Sequence, residues 1–170
     1  MENHEYFKVE LIRSKKRRKS LCAKIVNKVM YVYVPHYVSD NFAQDAIKKF
    51  EERFARARLK KEFNSFLGLP QIAENLNKRY FGGKLFIKSI EYVTNQESKF
   101  GCCDYNKKAI RISYKVASMP DFVRDYVIIH ELAHLIEPNH GNSFWEIVNR
   151  FKLAERARGF LMAKSLEKTN

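Results

Sequence analysis

Fifteen consecutive residues, Phe122 to Ile136, read FVRDYVIIHELAHLI; as a helix they are apolar on nearly every side, yet they carry two histidines and a glutamate. A helix apolar nearly all round is a buried one, so the rest of the chain must supply layers that cover it. Imidazoles and a carboxylate placed there are costly without partners, and packing offers no reason for them. His130 and His134 are four residues apart, which puts both rings on one helix face, able to meet at a single point. Zinc accepts neutral imidazole nitrogens, and Glu131, angularly offset from the first ligand, can reach a water on the metal without taking a coordination position. That is the mechanical sense of H-E-x-x-H.

A catalytic zinc normally has three protein ligands. Pro138 cannot continue the helix and disfavours helical geometry at Glu137, so the chain should leave the helix just past His134 and swing His140 back towards the metal. Glu137 and Glu146 are the alternative third ligands. His140 is favoured because imidazole suits zinc and the turn delivers it directly. The step from His134 to His140 is also that of the metzincins, but their Gly position is Glu137 here and no Met-turn follows. Tyr105 and Tyr114, hydroxyl donors upstream of the helix, are the candidates for stabilising an oxyanion, each with packing as the competing role.

The remaining text supplies the covering layers. YFKVELIR (6–13), SLCAKI (20–25) and VMYVYV (29–34) alternate with period two, with Asn27-Lys28 as a turn, and predict an antiparallel meander ended by Pro35. Ser39 is a candidate N-cap for an amphipathic basic helix reaching about Phe66. A second helix is expected over about 70–81, strands over 84–93 and 109–116, and a final helix from Asn142 to about Ala163. SMPD at Ser118 has capping-box spacing for the buried helix.

With 45% hydrophobic residues in 170, the chain can bury a real core, and no apolar run is long enough to span a bilayer. Three cysteines without CxxC spacing suggest free thiols, and the expectation is a soluble cytoplasmic protein. Cys102 and Cys103 read as small hydrophobes, and Phe144 and Trp145 as packing behind the histidine helix. The formal charge of +13 favours anionic partners. Arg13, Lys15, Lys16, Arg17, Arg18 and Lys19 form either a nucleic-acid contact or a solvated hairpin tip whose charge discourages edge pairing.

The stretch SKFGCCDYNKKAIRISYKVASMPDFVRDYVIIHELAHLIEPNHGNSFWEIV resembles the YgjP-like metallopeptidase family, whose pattern runs R-W-G-S-C, a strand, a Pro, then Y-V, two apolar residues, H-E-L-x-H, N-H and F-W. Gly101, Cys103, Pro120, Tyr126, Val127, His130, Glu131, Leu132, His134, Asn139, His140, Phe144 and Trp145 fall on that pattern. RSKKRRKSL before a strand and VYVP after it are also similar to the family's N-terminal region. The resemblance implies a minimal zincin core related to SprT-like proteases, with His130, His134 and His140 as zinc ligands and Glu131 as catalytic acid and base. Lys99, Phe100 and Cys102 depart from the family's Arg, Trp and Ser, next to a strand that could accept an extended substrate as an added strand.

The expectation is therefore an α+β protein: residues 1–66 form an antiparallel β-rich lobe plus a basic helix, and 67–170 a zincin-like core with a small mixed sheet. One zinc ion and a protein or peptide substrate go with it. The alternatives are a binding module in which zinc is structural and the basic surface holds nucleic acid, and a hydrolase of some non-peptide amide.

Overall fold

A computed structural model describes residues 8–66, 68–96 and 98–166; Tyr6 and Phe7, expected in the first strand, lie outside the described residues. The chain forms two compact units, Met1–Arg56 and Ala57–Asn170.

In the first unit β1 (Lys8–Ser14), β2 (Cys22–Val26) and β3 (Val29–Pro35) make a sheet of order β1-β3-β2. This is not the expected meander: β2 and β3 are an antiparallel hairpin, but β1 pairs with β3 in parallel. A meander needs β1 and β2 to be neighbours. The basic segment 15–21 instead carries the chain past β3, and Val9 and Leu11 gain Met30 and Val32 as direct neighbours. The Asn27-Lys28 turn is as expected, with φ of 49° and 62°, the two left-handed residues of a type I′ hairpin. Alternation then sorts the sheet: Met30, Val32 and Val34 are fully buried, and the partly buried Val9, Leu11, Ala23 and Ile25 of the sheet and Ile47, Phe50 and Phe54 of α1 (Asp40–Phe66) pack against them. Ser39 caps α1, its hydroxyl accepting from the Phe42 amide.

The second unit begins with the last turns of α1, whose Asn64 side chain bonds both backbone groups of Tyr92. There follow α2 (Leu69–Phe81), β4 (Ser89–Val93), β5 (Gly101–Asp104), β6 (Ala109–Ser113), a 3-10 turn at Tyr114–Ser118, α3 (Asp121–Ala133), α4 (Asn142–Val148) and α5 (Ala154–Leu166). The sheet has order β4-β6-β5, with β4 parallel and β5 antiparallel to β6. Ile110 and Ile112 of β6 and Ile90 and Tyr92 of β4 join Val127, Ile128, Ile129 and Leu132 of α3 in the core. As the apolar text requires, α3 is covered: α2, α4, α5 and the sheet all pack on it.

Four boundaries differ from expectation for local reasons. β4 starts only at Ser89 because the buried Asn77 side chain takes both the N–H and the carbonyl of Leu85, removing that residue from the sheet ladder. β6 stops at Ser113, and Tyr114 turns into the 3-10 segment against Phe63. Ser118 does not cap α3: its hydroxyl bonds the Lys115 carbonyl, and Pro120 occupies the N-cap position. The single last helix is two, since Phe151 and Ala154 donate to carbonyls three residues back. Val148, Phe151, Ala154 and Ala157 remain buried at a spacing of three, the 3-10 period, which reads as helical text. Among the described residues, no helix is long and apolar enough to cross a membrane.

Candidate metal centre

The last turn of α3 presents His130 and Glu131, and His134 is its C-cap, still helical at φ −64° and ψ −17°. Beyond it the amides of Leu135 and Ile136 donate to carbonyls three residues back, so the regular helix ends before Ile136, earlier than the apolar run implies. The four-residue spacing of the histidines survives. The turn through Pro138 returns His140, and one side-chain nitrogen from each of His130, His134 and His140 lies within 4.8 Å of the others. Neither Glu137 nor Glu146 joins that group. Glu137 contributes its carbonyl instead: His134 Nδ1 donates to it at 3.1 Å, fixing the tautomer that leaves Nε2 free.

His130 Nε2 and His140 Nε2 are 3.1 Å apart. Two ligands on a tetrahedral ion at zinc–nitrogen distances of 2.0–2.1 Å are separated by about 3.3 Å, so the donor set fits zinc. Phe144 of α4 is the floor, fully buried, with its ring centroid 4.8, 4.5 and 4.7 Å from those of His130, His134 and His140. Trp145, half-buried, stacks on His140 at 5.6 Å, and the Arg158 guanidinium lies 5.0 Å from the centre of its ring. Burial, reinforced by the neighbouring His134 and His140 rings, lowers the His130 pKa to about 3, and burial also lowers that of His134. Both imidazoles are thus neutral at neutral pH, the form a metal requires. His130 Nδ1 is buried with no hydrogen-bond partner among the described residues.

Glu131 is 5% exposed, and burial raises its pKa to about 8 against the opposing pull of Lys99. It fits only because residue 101 is glycine. A Cβ there would stand 2.4 Å from Glu131 Oε1 and 2.8 Å from both Cδ and Cγ, so β5 and the carboxylate approach over the bare backbone. Cys103, two residues along β5, is half-buried; burial and then the Glu131 charge push its thiol up to about 12, and it is a poor metal ligand in that state. Cys102 accepts from Arg111.

A groove of about 440 Å³ opens beside His130 and Glu131, lined also by Lys99, Phe100 and Gly101, by Tyr126 and Val127 of α3, and by Arg158, Leu161 and Met162 of α5. Neither Tyr105 nor Tyr114 lines it: Lys108 lies over the Tyr105 ring at 3.8 Å, and Tyr114 packs on Phe63. Lys99 and Arg158 are the groove's cations. Lys99 was visible as a departure from a family pattern, whereas Arg158 and Met162, on a plain polar helix, carried no sequence signal.

No curated protein matches the sequence. Among solved structures, the crystal structure of the metallopeptidase zymogen of Pyrococcus abyssi abylysin is 23% identical with a TM-score of 0.48, covering 56% of this chain and 92% of that one. The model of the YgjP-like metallopeptidase domain matches residues 7–154, which spans both units and includes all three histidines and Glu131. The chain belongs to the YgjP-like metallopeptidase family.

Proposed function

We propose that this protein is a zinc-dependent peptidase in which His130, His134 and His140 hold one zinc ion and Glu131 moves the protons of hydrolysis. The observation that carries this reading is the convergence of three imidazole nitrogens beside an open groove whose wall contains a buried carboxylate. A bound zinc ion would supply Lewis-acid polarisation of a carbonyl and acidify a water. Glu131, by its placement, accepts that water's proton on a side-chain oxygen and returns it to the leaving amine. Burial raises the proton affinity of that carboxyl in the metal-free protein, which suits holding the proton between the two halves of the transfer. β5 is the outer strand of its sheet and borders the groove, so an extended peptide can pair with it there. Lys99 and Arg158, not the two tyrosines, are the polar groups placed to bear on a developing oxyanion.

A sealed structural zinc site would not need a groove opening onto His130 and Glu131, and this favours catalysis over the binding-module alternative. Zinc content and hydrolysis of an unfolded protein substrate test the assignment in wild type, Glu131→Gln and His134→Ala. Glu131→Gln should keep one zinc per chain and lose roughly 10²–10⁴-fold in rate. His134→Ala should lose the metal. Wild-type activity in Glu131→Gln would overturn the role given to the carboxylate, and cleavage of simple amides without peptides would replace peptidase by amidase.

A further inference from the structure

The first unit has a face that the peptidase reading does not use. Between Leu11 and Ser39 the chain has eight lysines and arginines and no aspartate or glutamate. Arg13 is committed to the fold, bonding the carbonyls of His36 and Val38 and the Asp40 carboxylate. Lys15, Lys16, Arg18 and Lys19 are exposed on the loop leaving β1, and among the described residues no acid pairs with them.

Alternation in the sheet does the rest. With Met30, Val32 and Val34 turned to α1, Tyr31 and Tyr33 stand on the opposite face, beside Lys24 of β2 and Ile12 of β1. The Lys24 ammonium lies 6.0 Å from the Tyr31 ring centre and 5.6 Å from that of Tyr33, and the Arg17 guanidinium is 5.6 Å from Tyr33. Residues two apart on a strand are separated by about 6.6 Å, close to the spacing of successive bases in an extended single strand. Glu10, the face's carboxylate beside Tyr31, pairs with Lys8 at 3.3 Å.

We infer that this face binds single-stranded nucleic acid, with bases stacked on Tyr31 and Tyr33 and phosphates held by Lys24, Arg17 and the 15–19 loop. Charge alone would equally suit an acidic protein or a duplex. Two tyrosine rings at base spacing on one face of the central strand, each bordered by a cation, discriminate in favour of unpaired bases. The face involves neither the metal centre nor Glu131.

The test is fluorescence anisotropy of the full chain with a labelled mixed-sequence 12-nucleotide DNA, the same sequence as duplex, and a poly-glutamate peptide, over a series of salt concentrations. The single strand should bind at least fivefold more tightly than either competitor. Tyr31→Leu with Tyr33→Leu, which keeps the sheet's apolar content, should weaken single-strand binding roughly tenfold per ring while leaving the salt slope unchanged. Replacing Lys15, Lys16, Arg18 and Lys19 by glutamine should instead flatten that slope. Lys24→Glu, a change at an exposed position outside the sheet's core, keeps the test decisive if the tyrosine variant is unstable, and should weaken single-strand binding. Equal affinity for duplex and single strand, tightest binding to poly-glutamate, or wild-type affinity in Lys24→Glu would each overturn the proposal.

Discussion

The two units contain the same three-stranded sheet. In each, the last strand in sequence is central, the first pairs with it in parallel and the second in antiparallel fashion, β1-β3-β2 in one and β4-β6-β5 in the other. They differ in what their strands carry. β5 has glycine where a side chain would collide with Glu131, and its sheet is covered by a helix bearing histidines. β3 has tyrosines flanked by cations on the face opposite α1. One topology thus serves a buried, charge-poor centre and an open, charge-rich face, so function here is read from side chains and not from strand order.

If the division is real, changes in one sheet's machinery should leave the other's property intact. The largest expected effect is Glu131→Gln, which removes hydrolysis while nucleic-acid affinity, measured on the same preparation, stays at the wild-type value. Next is Phe144→Ala. Deleting a fully buried ring that touches three histidines should lower stability by about 3–5 kcal/mol in denaturant titration and weaken zinc binding, because the rings lose their floor. Unchanged stability would mean that α4 does not support the site.

Gly101→Ala is a finer probe, since it adds one methyl against three atoms of a buried carboxylate. Overpacking of this kind costs about 1–3 kcal/mol, and the displaced Glu131 should lose activity at full zinc occupancy. Loss of zinc together with activity would show that β5 positions the histidines and not the carboxylate.

The pH dependence of the metal-free protein follows from two opposite shifts. Glu131 has a raised pKa, so its contribution to stability is full below the unfolded value near 4.5 and is lost as pH climbs through about 8. His130 has a lowered pKa, so its contribution is full above 6.5 and is lost as pH falls through about 3. The melting temperature in chelator should therefore be highest between about pH 4.5 and 6.5, and Glu131→Gln should remove the alkaline loss alone. An identical alkaline decline in that variant would place the titrating group elsewhere. The smallest effect is Arg13→Ala in the first unit, about 1 kcal/mol or less for a partly exposed guanidinium, with no change in zinc content.

The buried helix, its histidine pair and the hairpin turn were legible because each depends on contacts within a few residues: period 3.6 and i to i+4 in α3, and two left-handed positions at Asn27-Lys28. His140 was legible through Pro138. What escaped were features set by distant partners. The parallel pairing of β1 is invisible in alternation, which is the same for either strand direction. The late start of β4 comes from Asn77, eight residues before Leu85. The 3-10 link between α4 and α5 keeps its apolar residues in a helical-looking rhythm. The groove's α5 wall faces the site only through tertiary packing, and nothing local to Arg158 or Met162 announces it.

In the proposed centre three imidazoles, and no thiolate, hold a single ion. X-ray absorption at the zinc edge of the metal-loaded protein measures this directly. One zinc per chain is expected, with a nitrogen and oxygen shell at about 2.0–2.1 Å and no sulfur. A sulfur shell near about 2.3 Å would bring Cys102 or Cys103 into the coordination sphere and contradict the three-histidine centre.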